Sequence, residues 1–272
     1  LESLVKEVTN LVKKGYKDFS FVSQDSSSYL RDLGHNDGLE QLIDAVEKID
    51  GVKTARILYL YPSTTTHNLI DKIADSKVFV NYFDMPLQHI SQNMLKIMKR
   101  GKGAEKLIEL MNYMRSKPNS FVRTTFIAGH PGESEDDFEE LCSFVEEFGF
   151  DRGNVFSYSD EEGTSAETRD DKIEQELIDE RAEILGDIIS QTTIKSLEND
   201  IGKSFEVYID GESEEHEYLL SARKTIWAPQ IDGEIYINDN EDNIPIVFGE
   251  IYEVEATQLA GDKLLAKIIR KV

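Results

Sequence analysis

The stretch that decides the fold is RTTFIAGHPGESEDDFEEL, Arg123–Leu141. It overlaps an apolar run, Phe121–Ala128, whose length is typical of a buried strand, and a turn at Gly129–Gly132 ends that run. Ser134, with Asp137 three residues later, forms a capping box, which marks the start of a helix. The apolar stripe of that helix is Phe138, Leu141, Cys142, Val145 and Phe148. A strand, a tight turn and an amphipathic helix form the repeating unit of an α/β fold.

Outward from this stretch, residues 1–160 alternate strand and helix patterns. Five short apolar runs predict strands: Phe19–Val22, Ile57–Tyr61, Val78–Phe83, Phe121–Ala128 and Val155–Tyr158. Helical segments separate these runs, which implies right-handed crossovers and a parallel sheet. In such sheets ligands bind beyond the carboxyl ends of the strands, so the topology predicts the face that carries the site.

The last part of the chain follows a different pattern. Residues 174–199 predict one long helix. After it, apolar and polar residues alternate along several short stretches separated by Asp-Gly and Gly-Asp turns, as in Phe205, Val207 and Ile209. The pattern predicts a small β-barrel or sandwich, with a domain boundary near residue 200 that gives domains 1–200 and 201–272.

Composition limits the class of protein. With 272 residues, 39% of them hydrophobic, the chain can bury one large core or a main core and a smaller one. No run approaches the roughly 18 apolar residues of a membrane span, and the first residues do not resemble a signal peptide. The single cysteine, Cys142, excludes an internal disulfide and a Cys-only metal site, and it fits a reducing, cytoplasmic setting.

The net charge of −23 bears on possible partners. It repels nucleic-acid phosphate and favours a basic partner, although a generic solvated acidic surface explains it equally well. The sequence starts at Leu1 without an initiator Met, and its first helix has no strand before it. We therefore expect a fragment of a longer α/β protein, with an open sheet edge where a further strand would pair.

Three strand ends carry polar residues that could form a site, and each has a simpler explanation. The MPLQH segment, Met85–His89, could bind a ligand hydroxyl or only hold a loop, and His89 has no second His or Cys at ligand spacing. The IAGHPGE segment, Ile127–Glu133, could bring backbone and helix N–H groups to a ligand or be a plain tight turn. YSDEEGT, Tyr158–Thr164, could supply acid–base carboxylates or be a solvated turn. Cys142 has the spacing of inert helix packing.

Together the motifs resemble one family. In order along the chain they are SQDSSSY (Ser23–Tyr29), LYLYP (Leu58–Pro62), FDMPLQHIS (Phe83–Ser91), MKRG (Met98–Gly101), RTTFIAGHPGESEDDFEEL (Arg123–Leu141), FSYSDEEGTSA (Phe156–Ala166) and APQIDG (Ala228–Gly233). Seven modest motifs in register, over nearly the whole chain, resemble the radical S-adenosylmethionine (SAM) methylthiotransferases of the RimO type. The last domain is similar to the TRAM domain.

The resemblance implies a fold and a reaction. The fold is α/β: a partial (βα) TIM-like barrel of the radical SAM type, followed by a small, OB-like all-β TRAM barrel. The reaction adds a methylthio group to the β-carbon of an aspartate in a small-subunit ribosomal protein. The cofactors are SAM, which one iron–sulfur cluster cleaves to a deoxyadenosyl radical, and a second cluster that helps to deliver sulfur and methyl.

The sequence also departs from that family. The C-x-x-x-C-x-x-C loop and the three further cysteines of an N-terminal domain are expected before residue 1, and Cys142 cannot replace six thiolates. We therefore expect this chain to ligate neither cluster and to be inactive alone. Position 130 is His where the family usually has Phe.

The resemblance carries specific residues over by position. Gln24 and Asp25 would face the amino-acid end of SAM, Gln88 and His89 the ribose, and Arg100 would pair with a carboxylate. The backbone of the turn that follows the predicted strand Phe121–Ala128 would shape the adenine side of the SAM pocket, and Tyr158 would close that pocket. The turn residues are Gly129, Pro131, Gly132 and Glu133.

Two other functions remain open at this point. A tRNA methylthiotransferase of the MiaB type shares both domains, but residues 202–272 contain 7 Lys/Arg against 15 Asp/Glu, whereas an RNA-binding barrel needs a basic face. An acidic barrel suits a basic ribosomal protein instead, and a reductant protein would be a further partner. The second rival is a non-enzymatic binding module that kept the fold and lost its clusters.

Overall fold

The structure is a computed structural model that describes residues 1–240 and 242–272. The chain forms two compact units, Leu1–Thr192 and Thr193–Val272. The division into domains 1–200 and 201–272 stays a prediction, because compactness alone does not define the limits of a functional domain. Seven α-helices lie in the described residues: α1 (Glu2–Lys13), α2 (Gly38–Val46), α3 (His67–Ala74), α4 (Gln92–Ile97), α5 (Ala104–Arg115), α6 (Glu135–Phe148) and α7 (Gln175–Glu198).

The first unit contains a five-stranded parallel sheet in the order in which its strands follow along the chain. Its strands are β1 (Asp18–Phe21), β2 (Thr54–Ile57), β3 (Phe79–Asp84), β4 (Phe121–Ala128) and β5 (Arg152–Ser157). Among the described residues β1 pairs only with β2, so the sheet is open at that side. Four of the five predicted strands overlap the observed ones over several residues, and the fifth, Ile57–Tyr61, begins where β2 ends. The carboxyl ends of the five strands lie at one edge, because every pair is parallel.

The core of this unit follows from the apolar periodicity of its helices. On α2, Leu39, Leu42, Ile43 and Val46 recur at helical spacing, and all four are buried against the sheet. The predicted strand at Ile57–Tyr61 is wrong in its bounds, since the ladder stops at Ile57. Tyr59 adopts a left-handed backbone (φ 58°), and its N–H donates to the side-chain carboxylate of Asp84 at 3.0 Å instead of to a backbone carbonyl of the neighbouring strand.

The predicted capping box begins α6. The Ser134 hydroxyl accepts a hydrogen bond from the Asp137 N–H at 3.2 Å, and the Asp137 carboxylate accepts from the Ser134 N–H at 3.0 Å. The same carboxylate also accepts from the hydroxyl of Ser91 and, at 2.9 Å, from the amide of Asn93. Partial burial raises the pKa of Asp137, but these hydrogen bonds outweigh that effect and lower it to about 2.

The second unit contains a closed five-stranded barrel in the order β10-β8-β7-β6-β9. Its strands are β6 (Ser204–Glu212), β7 (Leu220–Lys224), β8 (Ile235–Asp239), β9 (Ile251–Ala260) and β10 (Lys263–Lys271). The predicted small β-barrel is present. In β7, which the sequence pattern did not single out, Arg223 lies over the Tyr208 ring at 4.6 Å, and Lys224 lies over the Phe205 ring at 4.6 Å.

No helix in the described part of the chain combines the length and the apolar character needed to cross a bilayer.

Replacing Asp137 by alanine should lower the free energy of unfolding by roughly 2 kcal/mol at pH 7, because the Ser134 N–H and the side chains of Ser91 and Asn93 lose the carboxylate that accepts their hydrogen bonds. Chemical denaturation of the wild-type and variant chains measures the difference. Asp136→Ala is the matched control: it removes an exposed carboxylate from the same helical turn and should cost less than about 1 kcal/mol.

The difference between wild type and Asp137→Ala should also depend on pH. A carboxylate whose pKa is about 2 in the folded protein stabilises it fully above its unfolded pKa of roughly 3.9. That stabilisation is lost as the pH falls from about 4 towards 2, so the difference should shrink over this range. A constant difference down to pH 2 would contradict the assignment.

Candidate functional site

Two adjoining cavities lie at the carboxyl ends of the strands of the first unit. The smaller has a volume of about 390 Å³ and the larger about 500 Å³. They adjoin because four side chains line both of them: Tyr61, Gln88, Arg100 and Phe156. Four of the ten residues predicted for the site line these cavities: Gln24, Gln88, Arg100 and Tyr158.

Gln88 is placed in the cavity wall by an unusual backbone. It has a positive φ of 71°, a conformation that a non-glycine residue adopts only where its surroundings hold it. Its N–H donates to the Thr125 carbonyl and its own carbonyl accepts from the Ile127 N–H, both at 2.9 Å. These two bonds fix the segment after β3 to the end of β4, so that Gln88 lines both cavities.

The smaller cavity has a basic wall. Arg123, on β4, lines it and is 8% exposed. Its Nη1 donates to the carboxylate of the fully buried Asp84 at 3.1 Å, and its Nη2 donates to the side-chain oxygen of Asn154 at 2.8 Å in the amide orientation that satisfies both groups. Burial raises the pKa of Asp84, while Arg123 and the Tyr59 N–H oppose that rise. Arg100 lines the same cavity and lies over the Tyr61 ring at 5.3 Å.

The larger cavity is bounded by an aromatic pair. The rings of His130 and Tyr158 meet edge to face, with 5.0 Å between their centroids. The Tyr158 hydroxyl donates to Asp160 at 2.6 Å, and burial together with that carboxylate raises the pKa of Tyr158 to about 12. Burial lowers the pKa of His130, so both rings are neutral at pH 7. His130 thus supplies an uncharged aromatic surface at the position where Phe is usual in the resembled family.

Asp25 holds a turn and does not line either cavity. Its carboxylate accepts a hydrogen bond from the Ser27 hydroxyl at 2.6 Å and another from the Ser28 hydroxyl. The Ser27 hydroxyl also accepts from the Tyr61 N–H at 2.9 Å, which ties the segment after β1 to the segment after β2. Asp25 therefore positions the neighbouring Gln24, which does line the smaller cavity.

His89 and Glu133 belong to a buried cluster beneath the site, and neither side chain has any exposed surface. The His89 Nδ1 accepts from the N–H groups of Ile90 and Ser91 at 3.0 Å each, so the ring proton fits on Nε2, 3.4 Å from the Glu133 carboxylate. Glu133 also accepts from the Gly129 N–H at 3.2 Å and from Arg181 at 2.8 Å. The cluster holds the turn between β4 and α6 against α7.

The turn glycines are required by close packing within the first unit. Both Gly129 and Gly132 have positive φ angles, of 81° and 89°. A Cβ on Gly129 would lie 2.6 Å from the Ile178 side chain, and one on Gly132 would lie 2.8 Å from the Arg169 guanidinium. The Gly132 N–H already donates to the Asp171 carbonyl at 3.1 Å. Pro131 lines a third cavity of about 400 Å³, which shares Ser157, Tyr158 and Ser159 with the larger one.

Sequence reasoning missed several residues that line the cavities: Tyr59, Tyr61, Arg123, Asn154 and Phe156. Tyr61 had a signal, because it lies at a strand end beside Pro62. Arg123 lies inside β4, where its charge within a predicted strand was the only indication that it faces a cavity. Asn154 lies in β5, just before the predicted run Val155–Tyr158, and had no such signal.

The donor set of the chain does not fit an iron–sulfur cluster. Among residues 1–240 and 242–272, no three His, Cys, Asp or Glu side chains are gathered as a metal site. Burial raises the pKa of the Cys142 thiol to about 11, so it is not a thiolate at neutral pH. SAM fits the two cavities at the strand ends, because their walls combine aromatic and apolar side chains with a few polar groups.

Comparison with protein families identifies this arrangement. Residues 1–145 match the model of the Radical SAM superfamily. The chain belongs to the radical SAM superfamily. Residues 201–269 match the model of the TRAM domain, in the region where the structure has its closed barrel. The predicted fold class, a radical SAM half-barrel followed by a small TRAM barrel, is confirmed.

Curated relatives of this radical SAM chain share one description. This chain is 78% identical over 272 residues to the ribosomal protein uS12 methylthiotransferase RimO of Aliarcobacter butzleri, and the match covers 99% of this chain and 61% of that protein. The RimO of a Sulfurovum species is 59% identical, with 100% and 61% covered. The chain thus spans about 61% of the length of these relatives. Among solved structures, coproporphyrinogen III oxidase HemN from Escherichia coli matches with a TM-score of 0.45 and 18% identity, covering 61% of this chain and 37% of that one.

Replacing Glu133 by alanine should destabilise the protein by roughly 3–5 kcal/mol, because it leaves the buried Arg181 without its internal counter-charge. Thermal and chemical unfolding measure the change. Glu135→Ala is the matched control, since Glu135 also pairs with Arg181 at 2.8 Å but its side chain is 67% exposed. That control should cost less than about 1 kcal/mol. Equal costs for the two variants would show that burial does not make the difference.

Proposed function

We propose that this chain is the SAM-binding and substrate-facing part of a methylthiotransferase that modifies the β-carbon of an aspartate in ribosomal protein uS12. The observation that carries the proposal is the 78% identity, over 99% of the chain, to a protein described as the uS12 methylthiotransferase RimO. The two adjoining cavities at the strand ends support it, because they offer room for a cofactor and an acceptor side by side.

SAM would occupy the larger cavity. Ile97, Met98, Ile127 and Phe156 give that cavity an apolar lining that suits a flat adenine, while Gln88 offers an amide to the ribose. Tyr158 stays protonated, so its ring closes the pocket without adding charge. Gln24 lies nearer to the smaller cavity, on the side expected for the amino-acid end of SAM. When bound, SAM supplies the radical that removes hydrogen from the acceptor.

Other predicted residues would act indirectly, by positioning the residues that line the cavities. Asp25 positions Gln24, and His89 with Glu133 fixes the turn that contains Gly129, so their contribution is to hold the cavity wall. The radical chemistry itself needs iron–sulfur clusters, whose thiolate ligands must come from outside this chain. The chain alone should therefore be inactive.

The acidic barrel would receive the basic ribosomal protein. Glu212, Glu214 and Glu217 are exposed around the β6–β7 connection, whereas Glu215 pairs with Lys263 at 2.7 Å. A basic substrate is attracted to such a surface, and the phosphates of a tRNA are repelled by it. This charge favours a protein substrate over tRNA. A substrate that is assembled into ribosomes, and the need for a reductant protein, support a cytoplasmic location for the proposed activity.

The test uses the full-length protein with both clusters reconstituted under anaerobic conditions, together with uS12, SAM, a sulfur source and a reductant. Mass spectrometry should show one methylthio group in place of hydrogen on an aspartate of uS12. This chain on its own should bind SAM in equilibrium dialysis and give no product. Modification of tRNA and not of uS12 would reject the proposal, and so would full-length protein that never cleaves SAM.

Removing three negative charges from the barrel should weaken uS12 binding. The variant Glu212→Gln, Glu214→Gln, Glu217→Gln should bind uS12 roughly tenfold more weakly at low salt, and the deficit should fade as salt is added. Glu105→Gln, Glu139→Gln, Glu140→Gln is the control, since it removes three exposed charges from the first unit and changes the net charge equally. Equal weakening by both variants would assign the effect to net charge alone.

A further inference from the structure

Tyr158 lies at the boundary between two cavities. Together with Ser157 and Ser159 it lines both the larger cavity, of about 500 Å³, and the third cavity, of about 400 Å³. Among the described residues, the smaller cavity shares four with the larger one and none with the third. The larger cavity therefore has neighbours at two different places, the smaller cavity at one and the third cavity, beside Tyr158, at the other.

The backbone of Tyr158 is fixed, whereas its ring is held at few points. The Tyr158 N–H donates to the Ala128 carbonyl at 2.8 Å, which continues the pairing of β4 with β5. In the described part of the chain the phenol oxygen has one hydrogen-bond partner, the Asp160 carboxylate at 2.6 Å, and the ring meets the His130 ring edge to face. A ring held in this way beside open volume can rotate about its side-chain bonds.

Asp160 is in turn held by Lys172. The Lys172 ammonium donates to one oxygen of the Asp160 carboxylate and the Tyr158 hydroxyl donates to the other, so that a single carboxylate links the two side chains. The side chains of Lys172 and Asp160 are 41% and 43% exposed. An ion pair as exposed as this one is weak, breaks reversibly and is weakened further by salt. We call the chain of contacts from Lys172 through Asp160 to Tyr158 the tether.

The tether also closes a loop that borders the larger cavity. Asp160 and Lys172 lie near the two ends of the segment between β5 and α7. A further attachment is the Asp171 carbonyl, which accepts from the Gly132 N–H at 3.1 Å. The ion pair thus holds in place both the ring of Tyr158 and the loop residues that line the larger cavity, which are Glu161, Thr164, Ser165 and Ala166.

We propose that Asp160 and Lys172 are positioning residues, which hold Tyr158 as a closed partition between the larger and third cavities, and that rotation of this ring lets SAM and its products pass through the third cavity. The inference rests on the proposed function, which puts SAM in the larger cavity, and deepens it by naming the route of exchange. A volume of about 400 Å³ is within the range of small-molecule sites.

The arrangement of the three cavities gives this route a purpose. The acceptor would occupy the smaller cavity, which borders the larger one through Tyr61, Gln88, Arg100 and Phe156. The third cavity borders the larger one elsewhere, so SAM could exchange there while uS12 stays bound. Release of a cofactor or product is often the slow step of an enzyme, and a movable wall residue is one means of controlling it.

The first test measures how fast SAM leaves the full-length, cluster-containing protein in the absence of reductant. Bound radiolabelled SAM is chased with an excess of unlabelled SAM, and equilibrium dialysis gives the affinity. Tyr158→Phe and Lys172→Met should each raise the dissociation rate roughly fivefold, because each removes one end of the tether. The double variant should release SAM about as fast as either single variant, since both substitutions break the same connection.

Two control variants separate the tether from charge alone. Lys172→Arg keeps a cation next to Asp160 and should leave the dissociation rate within about twofold of wild type. Lys106→Met removes an exposed ammonium from α5 that lines none of the three cavities, and it should not change the rate. Added salt should reduce the difference between wild type and Lys172→Met, because it weakens the ion pair that the variant lacks. Circular dichroism confirms that each variant is folded.

Narrowing the third cavity tests the route itself. Ile173 lines this cavity and neither of the other two. Ile173→Trp should slow both the association and the dissociation of SAM by about threefold or more and leave the affinity within about twofold, because an obstacle on a path slows entry and exit equally.

The outcomes are distinct. Unchanged dissociation from Tyr158→Phe and Lys172→Met overturns the inference, and so do additive effects in the double variant or rates that Ile173→Trp leaves unaltered. Equal acceleration by Lys106→Met assigns the effect to net charge and equally overturns it. If the proposed function alone fails, SAM exchanges at the expected rates and uS12 stays unmodified in the complete assay. Protein that binds no SAM overturns both.

Discussion

The parallel pairing of five strands is the constraint on which the rest of the first unit depends. Because each strand runs in the same direction as its neighbour, the five segments that follow the strands meet at one edge of the sheet. Residues as distant in sequence as Gln24 and Asn154 consequently line one cavity. The helices between the strands cover the apolar face of the sheet and leave this edge for polar groups. The binding region is thus a result of topology before any individual side chain is considered.

Two charged layers follow from that arrangement. Close beneath the strand ends, buried ion pairs such as Arg181 with Glu133 and Arg123 with Asp84 connect elements that are far apart in the chain. At the outer surface the excess of carboxylates is solvated, and it contributes solubility and long-range attraction of basic molecules. Among the described residues, the smaller cavity is lined by Arg100 and Arg123 and by no Asp or Glu.

Much of this architecture could be predicted from the sequence, because it depends on periodicity and turn chemistry. The strand–turn–helix unit around Gly129 and Ser134 is present, since a Gly/Pro turn and a capping box are local signals. Four predicted site residues line the cavities for a related reason, which is that strand ends can be located from apolar runs. The orientation of individual side chains could not be obtained in this way. His89 is adjacent to Gln88 but turns inward to Glu133, and the left-handed backbone of Tyr59 has no sequence marker.

The carboxylate of Asp137 has a consequence for how the molecule opens. It accepts hydrogen bonds from the start of α6 and also from Ser91 and Asn93, which begin α4 more than forty residues earlier. Neither helix can fray at its first turn without breaking bonds that the other helix needs. Local opening of the two helix starts should therefore be a single cooperative event, with amide protons in both sharing one free energy of opening.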